Sequence, residues 1–273
     1  MKWYLTGDCH RDYLRFQNLE EYRTGAPIGI ICLGDFGINY FLNKTDTKMK
    51  EWLHEKYPNF IFYLLRGNHE ARPEDIPNVE VLEDNIIKEF VQIEPRFPNI
   101  RYLIDGSTYY FGDYKCLCIG GAYSVDKWYR LMRRECTEEN NNPKITGWFP
   151  NEQLTEKERD EITDIIKWAN VDFVFTHTCP LSMMPTDLFL NMVDQSTVDN
   201  TMEYWLEQIK NSFKWKIWCF GHYHADRLER PYIEQYYKDI EDLDVIWNRW
   251  KQYKTTGQLD EWWLNKSPNF YLN

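Results

Sequence analysis

The chain has 273 residues, is 43% hydrophobic and carries a formal net charge of −11 at pH 7. This length and apolar content suffice for one large α/β domain with a sizeable core. The acidic balance disfavours nonspecific binding to nucleic acid or to an anionic membrane surface, and no apolar run approaches the ~20 residues of a membrane span. A bound metal pair would reverse the charge locally, so anionic substrates remain possible.

Five apolar runs predict short buried strands, and each run closes on Asp, Asn or His. In chain order, these endings are Gly7-Asp8-Cys9-His10, Gly34-Asp35, Gly67-Asn68-His69, His177 and Gly221-His222-Tyr223-His224. The first three recur at about thirty residues, the length of a βαβ unit, which predicts parallel neighbouring strands. Because open α/β sheets bind ligands at the carboxyl ends of their strands, we expect the five endings to form one site.

The segments between these runs predict helices, a hairpin and a connection. Helices are predicted over 12–22, 45–57, 155–168 and 199–211, the third beginning with a Thr-x-x-Glu capping box. Residues 107–119 predict a β-hairpin, which adds antiparallel strands and hence a second sheet. The proline-bearing stretch 71–100 predicts an irregular connection at the edge of the protein. Aromatic and aliphatic residues recur every three or four positions over 232–257, which predicts one amphipathic helix.

The seven cysteines are odd in number and lie mostly inside the apolar runs. Cys116-x-Cys118 is not matched by a second cysteine pair, so buried reduced thiols are favoured over a zinc site. Met1 leads directly into a strand that ends in proposed ligands, which argues against a signal peptide. Together these features predict a reducing, cytoplasmic location.

Five of the six histidines stand at the strand endings, and only His54, on a predicted helix, lies elsewhere and is expected at the surface. A lone histidine is usually a structural residue, but five at corresponding strand ends beside aspartate and asparagine indicate a metal site. Mixed nitrogen and oxygen donors suit two adjacent divalent or trivalent transition ions better than Mg²⁺ alone.

These motifs occur in a fixed order over residues 7–224, most of the chain. In order and coverage, Asp8-x-His10, Gly34-Asp35, Gly67-Asn68-His69-Glu70, His177 and Gly221-His222-x-His224 resemble the signature of calcineurin-like metallophosphoesterases. The resemblance implies two mixed β-sheets packed as a sandwich and flanked by helices, an αββα arrangement, with hydrolysis of phosphate esters. Because the motifs run almost from one end of the chain to the other, we predict one catalytic domain over 1–230, with a C-terminal helical extension packed on the same domain over 231–273. The wording of residues 64–70 also resembles the serine/threonine phosphoprotein phosphatases, and 120–127 and 147–152 resemble bacterial and phage members.

The resemblance also implies roles for the ligands and for one further histidine. Asp8, His10 and His224 would hold one ion, Asn68, His177 and His222 the other, and Asp35 would bridge them. Mn²⁺ is expected first, with Fe and Zn close behind. Two ions ~3.5–4 Å apart generate a bridging hydroxide at neutral pH. His69, which follows Asn68 and is not itself a ligand, suits a general acid for the leaving alkoxide.

One departure concerns the phosphoprotein phosphatases, which follow Gly-Asp with an Asp-Arg pair. Here Ile38 and Asn39 take those two positions, so membership of that branch is in doubt. A phosphoprotein phosphatase, a nucleotide or nucleic-acid phosphodiesterase and a non-catalytic scaffold remain as alternatives. The candidate substrate contacts are Arg66, Asn68, Tyr123, Lys127 and Arg130. Arg66 is open to a structural role, and the basic cluster formed by Lys127, Arg130, Arg133 and Arg134 is open to being a solvated helix face.

Overall fold

The computed structural model describes residues 1–132, 148–230 and 232–258. In chain order, its strands are β1 Lys2–Thr6, β2 Ile28–Cys32, β3 Phe60–Leu64, β4 Glu80–Glu83, β5 Phe90–Ile93, β6 Ile100–Tyr102, β7 Thr108–Phe111, β8 Tyr114–Ile119, β9 Phe173–Thr176, β10 Ile217–Phe220, β11 Arg227–Arg230, β12 Ile233–Gln235 and β13 Ile240–Asp242. Its helices include α1 Glu20–Thr24, α2 Lys44–Lys56, α3 Glu156–Ile166, α4 Thr201–Ile209 and α5 Leu243–Thr256.

The strands form two mixed sheets, as expected. The seven-stranded sheet has the order β13-β1-β2-β3-β6-β5-β4, and the six-stranded sheet has the order β11-β12-β10-β9-β8-β7. The central strands β1, β2, β3 and β6 pair in parallel, and so do β8, β9, β10 and β12. The predicted hairpin is the antiparallel pair of β7 and β8. Parallel strands place their carboxyl ends at one edge of each sheet.

Three apolar clusters separate the layers of the molecule. The central cluster joins the two sheets, with Trp3 packed 5.3 Å from Tyr63 and 5.0 Å from Phe111 between ring centroids. A second cluster joins the outer face of the seven-stranded sheet to α2 and to Tyr13 and Phe16, which follow β1. A third cluster joins the six-stranded sheet to α3 and α4. Helices thus cover both outer faces, which gives the αββα sandwich.

Two stretches contain strands that the sequence did not predict. Residues 71–100 hold the antiparallel pair of β4 and β5 at the sheet edge, where a wholly exposed β4 lacks the apolar alternation of a buried strand. The single helix predicted over 232–257 was wrong: β12 and β13 come first, and α5 begins only at Leu243, where the Asp242 side chain accepts a hydrogen bond from the Asp244 amide at 2.9 Å. The spacing of aromatic and aliphatic residues every three or four positions in α5 continues by chance into β12 and β13.

The other predicted helices are observed and differ from their predicted ranges only in where they begin and end, except for the first. It is split into a 3₁₀ helix, Tyr13–Asn18, and α1, because Leu19 between them adopts an extended backbone with ψ 139°. The capping box at Thr155 is confirmed. β12 and β13, which follow residue 230, each belong to one of the two sheets. The division of the chain at residue 230 stays a prediction.

The described part of the chain contains free, buried cysteines and no helix that could span a membrane. Its six cysteines, Cys9, Cys32, Cys116, Cys118, Cys179 and Cys219, are free and buried, and Cys136 lies outside the described residues. Burial raises the pKa of the Cys116 and Cys118 thiols well above its usual value. None of the helices in this part is both long and apolar enough to cross a bilayer.

Candidate active site

The five predicted strand endings meet at one edge of the sandwich. The backbone amides of Cys9 and His10 donate to the Asp35 carbonyl at 3.0 and 2.9 Å, and the Gly221 amide donates to the His177 carbonyl at 2.9 Å. These bonds join the loops after β1 and β2 and the loops after β9 and β10. The seven predicted ligands lie together there: Asp8, His10, Asp35, Asn68, His177, His222 and His224. We refer to these seven side chains as the ligand cluster.

One half of the cluster consists of Asp8, His10 and His224, whose ligand atoms all lie within 4.8 Å of one another. The Nε2 atoms of His10 and His224 are 2.9 Å apart. Asp8 Oδ2 is buried and makes no hydrogen bond to the described residues, although His224 Nε2 lies 3.2 Å away. A buried carboxylate oxygen without a partner is costly. Two imidazole nitrogens and this oxygen converge as the ligands of a cation do.

The other half consists of Asn68, His177 and His222. Asn68 Oδ1 lies 2.8 Å from His177 Nε2 and 3.2 Å from His222 Nδ1. His177 Nδ1 lies 2.7 Å from the Leu33 carbonyl oxygen, so Nδ1 carries the proton and Nε2 of the neutral ring has a free lone pair. Two lone-pair atoms at 2.8 Å repel each other unless a cation or a proton lies between them. The donor set therefore fits a metal ion in this half as well.

Asp35 lies between the two halves. Its Oδ2 is 4.0 Å from His10 Nε2 on one side and 3.7 Å from His177 Nε2 on the other. Its Oδ1 accepts a hydrogen bond from the His69 backbone amide at 2.9 Å, which fixes the carboxylate plane. The residue adopts a left-handed backbone with φ 46°, a strained conformation that is often found at functional sites.

Two motif glycines make room for these ligands. A Cβ added at Gly67 would stand 1.9 Å from Asp35 Oδ1. A Cβ added at Gly34, which also has φ +108°, would stand 2.2 Å from His177 Nδ1. Each glycine is therefore required by the close approach of a ligand side chain to the backbone.

The electrostatics of the cluster suit metal binding. Burial opposes ionisation of Asp8 and Asp35, but the surrounding imidazoles, chiefly His224 for the first and His69 for the second, lower the pKa of both carboxyls below their usual value. Burial lowers the pKa of His222 to about 3, with a contribution from His177. At neutral pH the carboxylates are ionised and His222 is neutral, as metal ligands must be.

A buried relay behind Asn68 was not predicted as part of the site. Asn68 Nδ2 donates to Ser124 Oγ at 2.8 Å, and that hydroxyl donates to Glu152 Oε2 at 2.6 Å. The Ser124 amide also donates to Glu152, at 3.1 Å. The relay holds the amide nitrogen of Asn68 away from the ligand cluster, so that its oxygen faces the imidazoles. Both residues lie in the segments whose wording resembles phage members, which was the signal available in the sequence.

His69 lines the cavity beside the ligand cluster. Its Nε2 lies 3.3 Å from Asn68 Nδ2, and its buried Nδ1 has no hydrogen-bond partner among the described residues. Ile38 is fully buried in the outer core, and Asn39 donates to the Tyr102 hydroxyl at 2.9 Å. These two residues therefore supply neither a carboxylate to His69 nor a cation to a phosphate.

The structure separates the predicted substrate contacts. Tyr123 and Arg130 line the cavity, whereas Arg66 and Lys127 do not. Arg66 is buried and donates to Asp105 Oδ2 at 3.2 and 3.1 Å from Nε and Nη2, which favours its structural alternative. The Lys127 ammonium lies 4.9 Å from the centroid of the Trp148 ring. Arg133 and Arg134 lie outside the described residues. His54 is exposed, as expected, with Nδ1 3.2 Å from Asn99 Oδ1.

The cavity over the ligands has a volume of about 720 Å³. Its base carries His69 and five of the seven predicted ligands, namely His10, Asp35, Asn68, His222 and His224. One part of its wall carries Tyr40, Phe41, Tyr123 and Arg130. Another part comes from the segment between β9 and α4, and is mostly apolar. A cavity of this size has room for a small organic molecule above the ligand cluster.

The family comparison agrees with this geometry. Among proteins with curated descriptions, none matches this chain. The family model of the calcineurin-like phosphoesterases matches residues 1–226, which contain all seven predicted ligands and His69. The family consists of metal-dependent hydrolases of phosphoric esters. The match covers most of the 273 residues, and the chain therefore belongs to the calcineurin-like phosphoesterase family.

Proposed function

We propose that the protein hydrolyses phosphate esters at a dinuclear transition-metal centre, with His69 as the general acid. The observation that carries the proposal is the position of Asp35, whose Oδ2 lies within 4.0 Å of one imidazole from each half of the ligand cluster. One ion would be held by Asp8, His10 and His224, and the other ion by Asn68, His177 and His222. Asp35 would bind both ions. When bound, such ions activate water and neutralise phosphoryl charge. Mn²⁺ is the first candidate, followed by Fe and Zn.

The protein's own groups would orient the ester and protonate its leaving group. His69 stands beside the ligand cluster, with a ring nitrogen 3.3 Å from the Asn68 amide, and its ring borders the cavity. An imidazole at the mouth of the ligand cluster can donate a proton to a departing alkoxide. Tyr123 and Arg130, which line the same cavity, are the proposed contacts to the rest of the substrate.

The cations of the cavity argue against a dedicated phosphoprotein phosphatase. A phosphomonoester carries close to two negative charges, which a bidentate arginine matches. Arg11 is paired with Asp46 at 2.6 Å, and Arg130 is paired with Asp126 at 2.7 Å. Asn39, at the position where the protein phosphatases carry their arginine, points to Tyr102. We therefore propose small phosphate esters as substrates.

We also propose the cytoplasm as the location, because the six described cysteines are free and buried.

A substrate screen tests this function. The chelated protein should be inactive, and reconstitution with Mn²⁺, Fe²⁺ or Zn²⁺ should restore hydrolysis of small phosphomonoesters or diesters. The kcat/KM for these esters should equal or exceed that for a phosphoserine peptide. The His54→Ala variant, which alters an exposed histidine outside the cluster, should behave as the parent protein does.

Two results of the screen would contradict the proposal. Equal hydrolysis by chelated and reconstituted protein would remove the metal requirement. A clear preference for the phosphopeptide that Arg130→Ala abolishes would show that Arg130 takes the role of the missing arginine, and would make the protein a phosphoprotein phosphatase.

A further inference from the structure

The segment between β9 and α4 forms an apolar wall of the cavity. Three short 3₁₀ helices shape it: Leu181–Met183, Thr186–Leu188 and Gln195–Thr197. Its side chains that line the cavity are mainly apolar: Met184, Leu188, Phe189, Leu190, Val193 and Val198. We refer to these six side chains as the apolar wall.

Contacts with the rest of the protein hold this segment in place. Arg227 makes a two-pronged ion pair with Asp187, at 2.9 and 2.7 Å. The Ser182 amide donates to Glu207 of α4 at 3.0 Å. The Phe189 ring stacks on Tyr223, with centroids 6.4 Å apart and an interplanar angle of 21°. Tyr223 lies between the ligands His222 and His224, so the wall is positioned relative to the ligand cluster.

The remainder of the cavity offers little free charge to a leaving group. Tyr40, Phe41 and Tyr123 add aromatic surface. Arg11 and Arg130 also line the cavity, but each guanidinium contacts a carboxylate, Asp46 at 2.6 Å and Asp126 at 2.7 Å. Glu203, a further lining residue, is buried, and its Oε1 accepts a hydrogen bond from Thr178 at 2.5 Å. A leaving group with additional negative charge would be repelled by the Glu203 carboxylate, and both arginines are already paired with carboxylates. The cavity therefore disfavours a charged leaving group.

We propose that the apolar wall is the specificity site for the leaving group, and that the preferred substrates are phosphate esters of alcohols with an apolar body the size of an aromatic ring. This inference rests on the proposed function and names its substrate class. An apolar group that leaves water for this wall contributes binding in proportion to the area buried. One methylene in a hydrophobic pocket changes selectivity by about 10- to 200-fold, so a whole ring should give at least about tenfold.

The test compares phenylpropyl phosphate with ethyl phosphate on the Mn²⁺-reconstituted protein. Both leaving groups are primary alcohols of similar acidity, so the ratio of their kcat/KM values reports the apolar contact and not leaving-group chemistry. We expect a ratio of about tenfold or more. Phe189→Ala should bring the ratio towards one, through a lower kcat/KM for phenylpropyl phosphate. Met192→Ala is the matched control, because Met192 lies in the same segment, is 98% exposed and does not line the cavity.

A second variant and a binding measurement complete the test. Leu190→Glu, at a position 62% exposed and therefore tolerant in folding, should also remove the preference by placing a charge in the wall. Phenylpropylphosphonate should bind more tightly than ethylphosphonate by calorimetry, and this difference should vanish in Phe189→Ala. Hydrolysis of both esters at equal kcat/KM, or a preference that persists in both variants, would overturn the inference alone. Absence of hydrolysis of every ester would overturn the proposed function, and equal phosphonate binding would then overturn the inference as well.

Discussion

His69 differs from the other strand-end histidines in its surroundings. The imidazoles of His10, His177, His222 and His224 lie within 3.2 Å of another side-chain atom of the ligand cluster. Among the described residues, the His69 ring approaches Asn68 Nδ2 at 3.3 Å through Nε2, and its Nδ1 has no hydrogen-bond partner. Ile38 takes the place where the protein phosphatases carry an orienting carboxylate, and it is buried in the apolar core. His69 therefore acts, in the proposed mechanism, without a carboxylate that orients its ring.

The first prediction concerns proton donation by His69. His69→Ala should retain the metal content of the parent protein, because His69 is not a proposed ligand. Hydrolysis of alkyl phosphates should fall by about 10²–10⁴-fold, the usual contribution of a general acid. Nitrophenyl phosphate should lose little, because nitrophenolate departs without a proton. Elemental analysis and the two rates measure this, and equal losses for both esters would exclude the acid role.

At the residue scale, the sequence predicted which side chains would converge, because their types and their order along the chain mark the strand endings; their role as ligands stays a prediction. The strand endings were visible as short apolar runs closed by Asp, Asn or His, and all seven side chains converge. The orientation of Arg66 was not predictable, because its partner Asp105 lies 39 residues away in the chain. The relay from Ser124 to Glu152 was missed for the same reason: it joins residues 28 apart across a segment with no distinctive periodicity.

At the scale of elements, α5 and the two strands before it connect the two sheets. β12 belongs to the six-stranded sheet and β13 to the seven-stranded sheet. Arg249 of α5 donates to Glu234 of β12, at 3.2 Å from Nε, and to Glu241 of β13, at 2.9 and 2.7 Å. The Tyr236 hydroxyl lies 2.7 and 2.8 Å from the same two carboxylates. Arg249 and Glu234 are almost completely buried. A single guanidinium therefore links carboxylates from both sheets.

The second prediction concerns this buried ion cluster. Arg249→Met removes the cation that pairs with the buried Glu234 and the partly exposed Glu241, so the free energy of unfolding should fall by about 3–5 kcal/mol. The matched control is Arg96→Met, because Arg96 pairs with Glu51 at the surface; that change should cost at most about 1 kcal/mol. Urea unfolding measures both values. A loss from Arg249→Met no larger than that of the control would show that the link does not stabilise the fold.

The same cluster predicts a pH dependence of stability. Burial raises the pKa of Glu234 from 4.5 to about 7, against the opposing effect of Arg249. The folded protein therefore keeps a proton over this interval that the unfolded chain has lost, and this contribution to stability decreases as the pH rises from 4.5 to about 7. Without Arg249 the pKa rises further, so Arg249→Met should be more destabilising at about pH 8 than at about pH 5. Equal losses at both pH values would exclude Glu234 as the titrating group.

The element scale is also where the sequence predictions failed most clearly. The aromatic period from Tyr232 predicted one helix, but tertiary pairing selects strands for β12 and β13. Three-residue strands are too short to show the alternation that distinguishes them from a helix. The pair of β4 and β5 was missed because β4 is exposed along its whole length. Local periodicity predicted the long, half-buried elements and could not predict strands that are very short or wholly exposed.

At the scale of the whole molecule, the site depends on the contact between the two sheets. Asp8 and Asp35 follow strands of one sheet, and His177 and His222 follow strands of the other. The inter-sheet core, with Trp3 against Phe111 at 5.0 Å, fixes the distance between these two sets. The net charge of the chain is −11, and both arginines that line the cavity, Arg11 and Arg130, are paired with carboxylates. Metal binding would thus join the two sheets at the site.

The most direct test of the central claim is the metal content and activity of the Asp35→Asn variant. Asp35 is the residue that faces both halves of the cluster, so the variant should bind less metal than the parent protein by elemental analysis, and should not hydrolyse aryl phosphates after Mn²⁺ reconstitution. Asp113→Asn, the same change at an exposed aspartate in the turn between β7 and β8, should retain both properties. An Asp35→Asn protein with full metal content and the normal rate of aryl phosphate hydrolysis would contradict the shared-ligand assignment and the dinuclear mechanism built on it.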